Sequence, residues 1–468
     1  MEGIPHLIGP GSQASVLARI ERREPGAVAD GINLRLGRRD MNVFRTIDRA
    51  GERPVVHVAG RHPAALCPSC AHPSVDTNGT GWRDVIDVVR TLVITLSVCV
   101  RRFVCSNEAC GQRTFDERFE GIGRGGASER ALGFFADLAR GRATAAVARD
   151  LGVPDHYLRL AVGRARVRAT APRRRRLGRR LAIDECAVRK PFVFATVFSD
   201  PERGVVIDLA PGRDGAAIWA FAGLYSRHER AGVQVVSMDC HNPYRHMVRL
   251  VFPHALIVAD AFHVHRRFLD ALTEVRKAAA RRIARRHGKN AWRLPKAARY
   301  ALLRARSELE ADTSERGARQ RAVVAEVCAL DDELAVAYEL KEAFRTAMAF
   351  GRAGDVATFC AALDLFDALC RGSKITPFRT AAGLLRRWRT EIVNYARTKG
   401  ASNAWAEAVN HLIKNQKRQA HGYRTWEGFR SQIIWCFGEV VDPETGEILP
   451  LRQLPRGTGT TWHQPQFA

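Results

Sequence analysis

The chain has 468 residues, more than one hydrophobic core usually holds, so about two to four domains are expected, and its 46% hydrophobic content is ordinary for globular protein. Lys and Arg number 74 against 49 acids, a net charge of +25 that points to a polyanionic partner, nucleic acid before membrane, since no run of 18 apolar residues occurs and no secretory leader opens the chain. Eleven cysteines, an odd number scattered along the sequence, do not form a disulfide framework and fit a reducing cytoplasm.

Residues 1–45, rich in Gly, Arg and Pro and without a sustained period, read as a poorly ordered arm. Residues 46–120 read as short strands punctuated by turns. Cys67 and Cys70 make one close pair, and Cys105 and Cys110 a second after a strand-rich excursion. Two such pairs suit a tetrahedral structural Zn2+ site in a zinc ribbon, with His62, His72 or Cys99 able to replace one ligand. Arg101 and Arg102 offer this ribbon an edge toward DNA. Residues 127–170 change to three short helical patterns. The second breaks at Gly152-Val153-Pro154 and the third carries Arg159, Arg164 and Arg166, the layout of a helix-turn-helix DNA-binding domain. The linker at 171–180 follows. Its run Arg173, Arg174, Arg175 and Arg176 cannot enter a core and suits backbone phosphates.

From Leu181 the composition turns to buried strands. Leu181–Asp184, Phe192–Asp200 and Gly204–Gly212 form a meander, followed by a helix over Asp214–His228, the strand Val233–Asp239, a helix near Tyr244–Phe252 and the strand Ala255–Asp260. This is a mixed α/β sheet, and Asp184, Asp239 and Asp260 each fall where an apolar run ends, the usual place for ligands in open sheets. Residues 265–401 are almost wholly helical in pattern and read as an all-helical insertion. On the helix that follows, Asn403, Glu407, Asn410, Lys414, Lys417 and Arg418 fall on one narrow face at ~100° per residue, with Trp405, Ala408, Val409 and Leu412 on the opposite, packing side. Residues 438–468 read as a loosely packed tail.

Four segments carry a family resemblance: IDECA at 183–187, MDCHNPY at 238–244, FPHALIVADAFHV at 252–264 and SNAWAEAVNHLIKNQKRQAHGYRTWEGFR at 402–430. Together they resemble the ISL-three family of insertion-sequence DDE transposases. The resemblance implies an RNase H-like catalytic domain over 181–264 and 402–437, a triad of Asp184, Asp239 and Glu407, and Asp260 and His263 in a supporting D-x-x-H position. Asp260 is the alternative second acid of the triad. The implied activity is binding of the terminal inverted repeats of an element, then DNA strand cleavage and transfer to target DNA, by a homodimer or higher assembly in the bacterial cytoplasm. A DNA-binding regulator or domesticated copy that does not cut is the alternative.

The carboxylates carry their own chemical argument. Three acids converging at one sheet end repel one another unless divalent cations neutralise them. Hard oxygen ligands suit Mg2+ or Mn2+, which activate the attacking oxygen and stabilise the leaving one in a phosphoryl displacement. Lys414, Lys417 and Arg418, on the face of Glu407, suit the phosphates of the cleaved strand.

Overall fold

The computed structural model describes residues 36, 38, 40–170, 176–189, 193–287, 309, 318–420, 422–441 and 448–449. Most of the arm at 1–45, Arg173 to Arg175 of the linker and most of the tail at 438–468 lie outside the described residues. Two units divide the chain, residues 1–168 with 454–468 and residues 169–453.

In the first unit, β1 (Met41–Ile47), β2 (Val55–Gly60), β5 (Thr77–Val89) and β6 (Leu92–Val104) form a sheet in the order β1-β2-β6-β5, with β7 (Thr114–Asp116) also pairing β6. Between β2 and β5 lies the small hairpin of β3 (Ala65–Leu66) and β4 (Pro73–Ser74). The expectation of uniformly short strands is corrected here, because β5 and β6 are each 13 residues long. Asn78-Gly79 is a turn signal in sequence, but the strand absorbs it as an irregularity between Thr77 and Thr80, with Gly79 at a φ of 103°. Val56, Val58, Val85, Ile94, Leu96 and Val98 are fully buried and make this unit's core.

Three helices follow: α1 (Glu129–Ala139), α2 (Thr144–Leu151) and α3 (Asp155–Thr170). Ser128 caps α1 by accepting from the Ala131 amide, and its own hydroxyl donates to Asp87 of β5. Asp87 has no exposed surface and also takes two bonds from Arg130 (3.1 and 2.6 Å) and one from Arg38 (3.2 Å). Burial opposes its ionisation, but these donors prevail and hold the carboxyl below the usual carboxylate range. Gly126 lies at a φ of 72°, and a Cβ there would meet the Tyr157 hydroxyl of α3 at 2.4 Å. A left-handed conformation and this close approach both require glycine.

In the second unit, β8 (Arg180–Arg189), β9 (Val193–Asp200) and β10 (Val205–Pro211) run as an antiparallel meander. β11 (Val235–Met238) adds parallel to β8, and β12 (Leu256–Ala259) parallel to β11, giving the order β10-β9-β8-β11-β12. The segment expected as one helix over Asp214–His228 is two, α4 (Gly215–Ala222) and α5 (Arg227–Ala231). Gly223 closes the first, and Ser226 opens the second through a reciprocal capping box with Glu229, a strong local start signal. α6 (Asn242–Val251) joins β11 to β12.

Helices then dominate: α7 (Ala261–His287), α8 (Ala318–Cys328), α9 (Asp332–Ala353), α10 (Val356–Gly372), α11 (Thr376–Arg387) and α12 (Arg389–Arg397). The helical region thus begins at Ala261, inside the D-x-x-H motif rather than after it. Phe268 stands at its centre, 4.4 Å from Phe344, 5.0 Å from Phe366 and 6.2 Å from Phe378 between ring centroids. The edge strand β12 is not left open, because Asn394 of α12 donates to the carbonyl of Ile257 (2.9 Å). Finally α13 (Ala404–Gln419) and α14 (Trp426–Phe437) return to the sheet. Arg430 of α14 grips the buried Asp208 of β10 with two 2.7 Å bonds.

Because Asp87 is the common acceptor of strand, cap and two arginines, Asp87→Ala should destabilise the full-length protein by ~3–5 kcal/mol, the usual cost of breaking a buried ion pair. Thermal unfolding of the variant against the parent measures it. The depressed carboxyl contributes its stability above its unfolded-state pKa and loses it as pH falls through the folded-state value, so the parent should lose this increment in acid while the variant has none to lose.

Candidate active site and metal centres

Strand register places the acids. Ile183 of β8 pairs with Met238 of β11, so Asp184 and Asp239 are the next residue on two adjacent parallel strands. Asp260 directly follows β12, and His263 lies three residues on in the first turn of α7. The His263 Nδ1 is 2.7 Å from Asp260 Oδ2 and 2.9 Å from Asp239 Oδ1. The hydrogen-bond geometry is met only toward Asp260, so Asp239 Oδ1 accepts no hydrogen bond among the described residues. Asp239, Asp260 and His263 each offer a ligand atom within 4.8 Å of the others. Asp184 and Glu407 stand outside that set.

The two aspartates differ in what holds them. Asp260 is 1% exposed, and both its oxygens are taken: Oδ1 accepts from the Asn403 amide (3.2 Å) and Oδ2 from His263. The Asp239 side chain keeps 21% exposure. Asp184 is buried, with Oδ1 accepting from the Glu185 amide (2.7 Å) and Oδ2 from Asn410 Nδ2 (2.7 Å).

Glu407 sits half-buried on α13. The expectation that its polar stripe faces away from the packing side is corrected. Ala406, Val409, Asn410, Ile413 and Gln416 are buried, with Asn403 buried at the N-cap, while Trp405, Ala408 and Leu412 are only partly covered. The stripe is one flank of the packed face, because its amides bond to the sheet. Asn403 and Asn410 lie four residues before and three after Glu407, and sequence reasoning saw them only as neutral members of a polar face. A signal was present at Asn410: asparagine is a poor residue for a helix interior, and one three residues after the acid needs a reason.

The acids feel one another. Burial, then the charge of Asp239, pushes Asp184 up to about 7. Burial, then the charge of Asp260, raises Glu407. The close carboxylates of Asp239 and then Asp260 carry His263 up to about 10, which favours the imidazolium form. Oxygen donors of this type fit a hard divalent cation, which would offset both the burial and the like charge that raise Asp184 and Glu407.

At the end of the first unit's sheet the four thiols converge. Cys67 Sγ is 3.9 Å from Cys110 Sγ and Cys70 Sγ is 3.7 Å from Cys105 Sγ, with all four within 4.8 Å of one another. Ligands about 2.3 Å from one zinc in a tetrahedron stand about 3.8 Å apart, so the set fits Zn2+. The β3–β4 hairpin builds the first knuckle, where Cys67 N donates to His72 O and Ala71 takes a left-handed φ of 55°. Cys99 is fully buried in β6, apart from this set. Burial resists ionisation of Cys67, but the amides of Ser69 and Cys70 and the neighbouring thiols bring it down to about 7.

The basic residues divide by what already holds them. Arg101 is bound to Glu117 and to the carbonyl of His62, and only 16% of its side chain is exposed, so it is a structural cation rather than a free edge. Arg164 pairs with Glu129 and Arg159 with Asp155. Lys417 Nζ donates to Ala187 O (2.6 Å), whereas Lys414 is exposed and Arg418, also exposed, leans on Asn415. Arg176 is exposed, and Arg173, Arg174 and Arg175 lie outside the described residues.

A five-stranded sheet in this order, with an acid within the central strand, acids just past the two parallel strands beside it and a later helix bringing a glutamate, is an RNase H-like core interrupted by a large helical insertion. The family model for ISL-three DDE transposases, described as "Transposase", matches residues 181–433, and the chain belongs to that family. It is 31% identical over 267 residues to the transposase for insertion sequence element IS1557 of Mycobacterium tuberculosis, a match covering 53% of this chain and 57% of that relative. The chain thus spans little more than half the length of that protein. It is 28% identical over 379 residues to the transposase for insertion sequence element IS1001 of Bordetella parapertussis, covering 80% of this chain and 88% of the relative.

Two measurements check these centres. Purified protein should carry about one equivalent of zinc, lost in Cys105→Ser, by elemental analysis. Mn2+ affinity, read by electron paramagnetic resonance, should rise with pH as Asp184 gives up its proton near its value of about 7 and level off above it.

Proposed function

We propose that the protein is an active DDE transposase that binds the terminal inverted repeats of its insertion sequence, cleaves the strand at the element end and joins it to target DNA. The observation that carries this reading is the Asp239, Asp260 and His263 cluster at the end of two parallel strands of an ISL-three family fold, with Asp184 on the neighbouring strand and Glu407 on α13 both raised by burial and by the charges of Asp239 and Asp260.

Asp184, Asp239 and Glu407 are the residues to hold Mg2+ or Mn2+. Such ions supply Lewis-acid activation of the attacking oxygen and stabilisation of the leaving one. The chain's own contributions are orientation and charge. Asn410 fixes the Asp184 carboxylate, and the occupied oxygens of Asp260 suit it to orient His263 and Asp239 rather than to bind metal itself. Lys414 and Arg418 are placed along α13 to hold phosphates of the cleaved strand. Water attacks the phosphodiester, the 3′-oxygen leaves and takes a proton, and that 3′-hydroxyl then attacks a target phosphodiester, so no bond to the protein forms.

The first unit suits end recognition. α2 closes on Gly152 at a φ of 61°, Val153 is buried, and α3 starts at Asp155, which supports reading 127–170 as a helix-turn-helix with α3 toward the major groove. The zinc ribbon and the arginines at 173–176 add phosphate contacts, and two ends require two copies of the chain.

Incubation with Mg2+ and labelled DNA carrying the element's flanking repeats should yield nicked ends and joined products. Glu407→Gln should bind DNA as the parent does and cut nothing; strand cutting at the parental rate would refute the assignment. Asp239→Asn should abolish joining, and Asp260→Asn or His263→Ala should reduce it ~10–100-fold. The reverse pattern would exchange the roles of Asp239 and Asp260. Sequence-specific binding with no cleavage in either metal would identify a regulator instead.

A further inference from the structure

We propose that Asn403, Asn410 and Lys417 form a positioning ladder that docks α13 on the free carbonyl edge of β8 and so sets the spacing of Glu407 from Asp184, giving the site its metal affinity without touching the metal. The inference rests on the reading of Asp184 and Glu407 as metal ligands.

The edge comes first. Arg179 O accepts from the amides of Gln234 (2.8 Å) and Val235 (3.1 Å), so at the start of β8 the odd-numbered carbonyls point toward β11. Alternation along a strand keeps the carbonyls of Ile183, Glu185 and Ala187 on that side. The pairing of β8 with β11 ends at Ile183 and Met238, while β8 runs on to Arg189. Carbonyls beyond that rung must find donors elsewhere, since a buried carbonyl left unmet is destabilising.

Helix α13 supplies them in order. Asn403 Nδ2 donates to Ile183 O (3.2 Å), Asn410 Nδ2 to Glu185 O (3.0 Å) and Lys417 Nζ to Ala187 O (2.6 Å). Donors recur every seven residues on the helix and acceptors every two on the strand. Seven residues are two helical turns, so the donors share one face; two residues are one strand repeat, so the acceptors share one edge. The rungs at Ile183 and Glu185 flank Asp184, and the amides that reach them flank Glu407. The two acids are therefore held between the same two rungs.

Both asparagines also reach an acid, Asn410 by its side chain and Asn403 by its backbone N–H. Asn410 Nδ2 bonds Asp184 Oδ2, and Asn403 accepts from Ser237 of β11 (3.2 Å) while its backbone amide bonds Asp260. The orientation of Asn410 is unambiguous, because its two neighbours, a carboxylate and a carbonyl, are both acceptors. Its own oxygen is buried without a partner among the described residues, a cost that leucine or alanine would not incur. Retaining asparagine there makes sense if the NH2 group has a fixed task.

The test is Mn2+ binding by electron paramagnetic resonance on zinc-loaded, full-length protein without DNA. Asn410→Ala should weaken Mn2+ ~10–100-fold, as loss of a partner that orients a ligand does. Lys417→Met, at the half-exposed end of the ladder and so not dependent on an unchanged core, should weaken it several-fold. Gln416→Ala, equally buried on α13 but off the ladder, should lower the melting temperature without changing Mn2+ affinity. Parental affinity in Asn410→Ala and Lys417→Met, alongside lost binding in Asp184→Asn and Glu407→Gln, overturns the ladder alone. An equal loss of affinity in Gln416→Ala also overturns it, by reducing the effect to helix stability. Parental affinity in Asp184→Asn and Glu407→Gln overturns the metal-site reading and the ladder with it.

Discussion

A strand that outruns its neighbour leaves backbone carbonyls without partners, and in this protein the second unit is arranged around meeting that need. β8 extends past β11, and the groups that satisfy it come from a helix more than 200 residues later in the chain, as the Asn410–Asp184 separation of 226 residues records. The same logic recurs at the sheet's outer edge, where Asn394 caps a carbonyl of β12. The long helical segment between the fifth strand and α13 thus does more than occupy space. Phe359 of α10 packs its ring 6.5 Å from Tyr395 of α12, whose Asn394 bonds the sheet, and α12 leads directly into the turn before α13.

Much of this was legible in the sequence, and the failures share one cause. Apolar runs ending in Asp239 and Asp260 mark buried strands that emerge at one sheet end, but the strand expected to stop at Asp184 runs on to Arg189, because the polar residues beyond it are paired with β9 and α13. Paired cysteines were likewise readable, since two knuckles are a covalent spacing; choosing among His62, His72 and Cys99 as substitutes needed three dimensions. The face of α13 was misjudged because amphipathic reasoning assigns polar residues to solvent, whereas this helix packs on a strand edge and needs donors there. The length of β5 was hidden by Asn78-Gly79, and the break between α4 and α5 by apolar residues that continue across it. In each case a local rule met a tertiary partner that sequence spacing does not reveal.

Formal charge overstates the free cations. Of the arginines that give the chain its excess, Arg38 and Arg130 are committed to Asp87, Arg101 to Glu117, Arg203 to Asp200, Arg282 to Asp331 and Arg430 to Asp208. Guanidinium is suited to this work, since its planar fork meets a carboxylate with two bonds and stays charged when partly buried. Many of the basic residues therefore organise the fold, and only the exposed remainder is available to a polyanion.

The separation between β8 and α13 has a consequence for synthesis. Domains fold largely as they leave the ribosome, N-terminal parts first. The five strands and their three aspartates are complete by Asp260, but the glutamate arrives only after the whole helical segment has been translated. A nascent or prematurely terminated chain can hold the first unit and the sheet while lacking Glu407 and every donor that docks its helix. Such fragments lack a complete carboxylate set, so on the proposed reading the metal-dependent chemistry waits until α13 has been made.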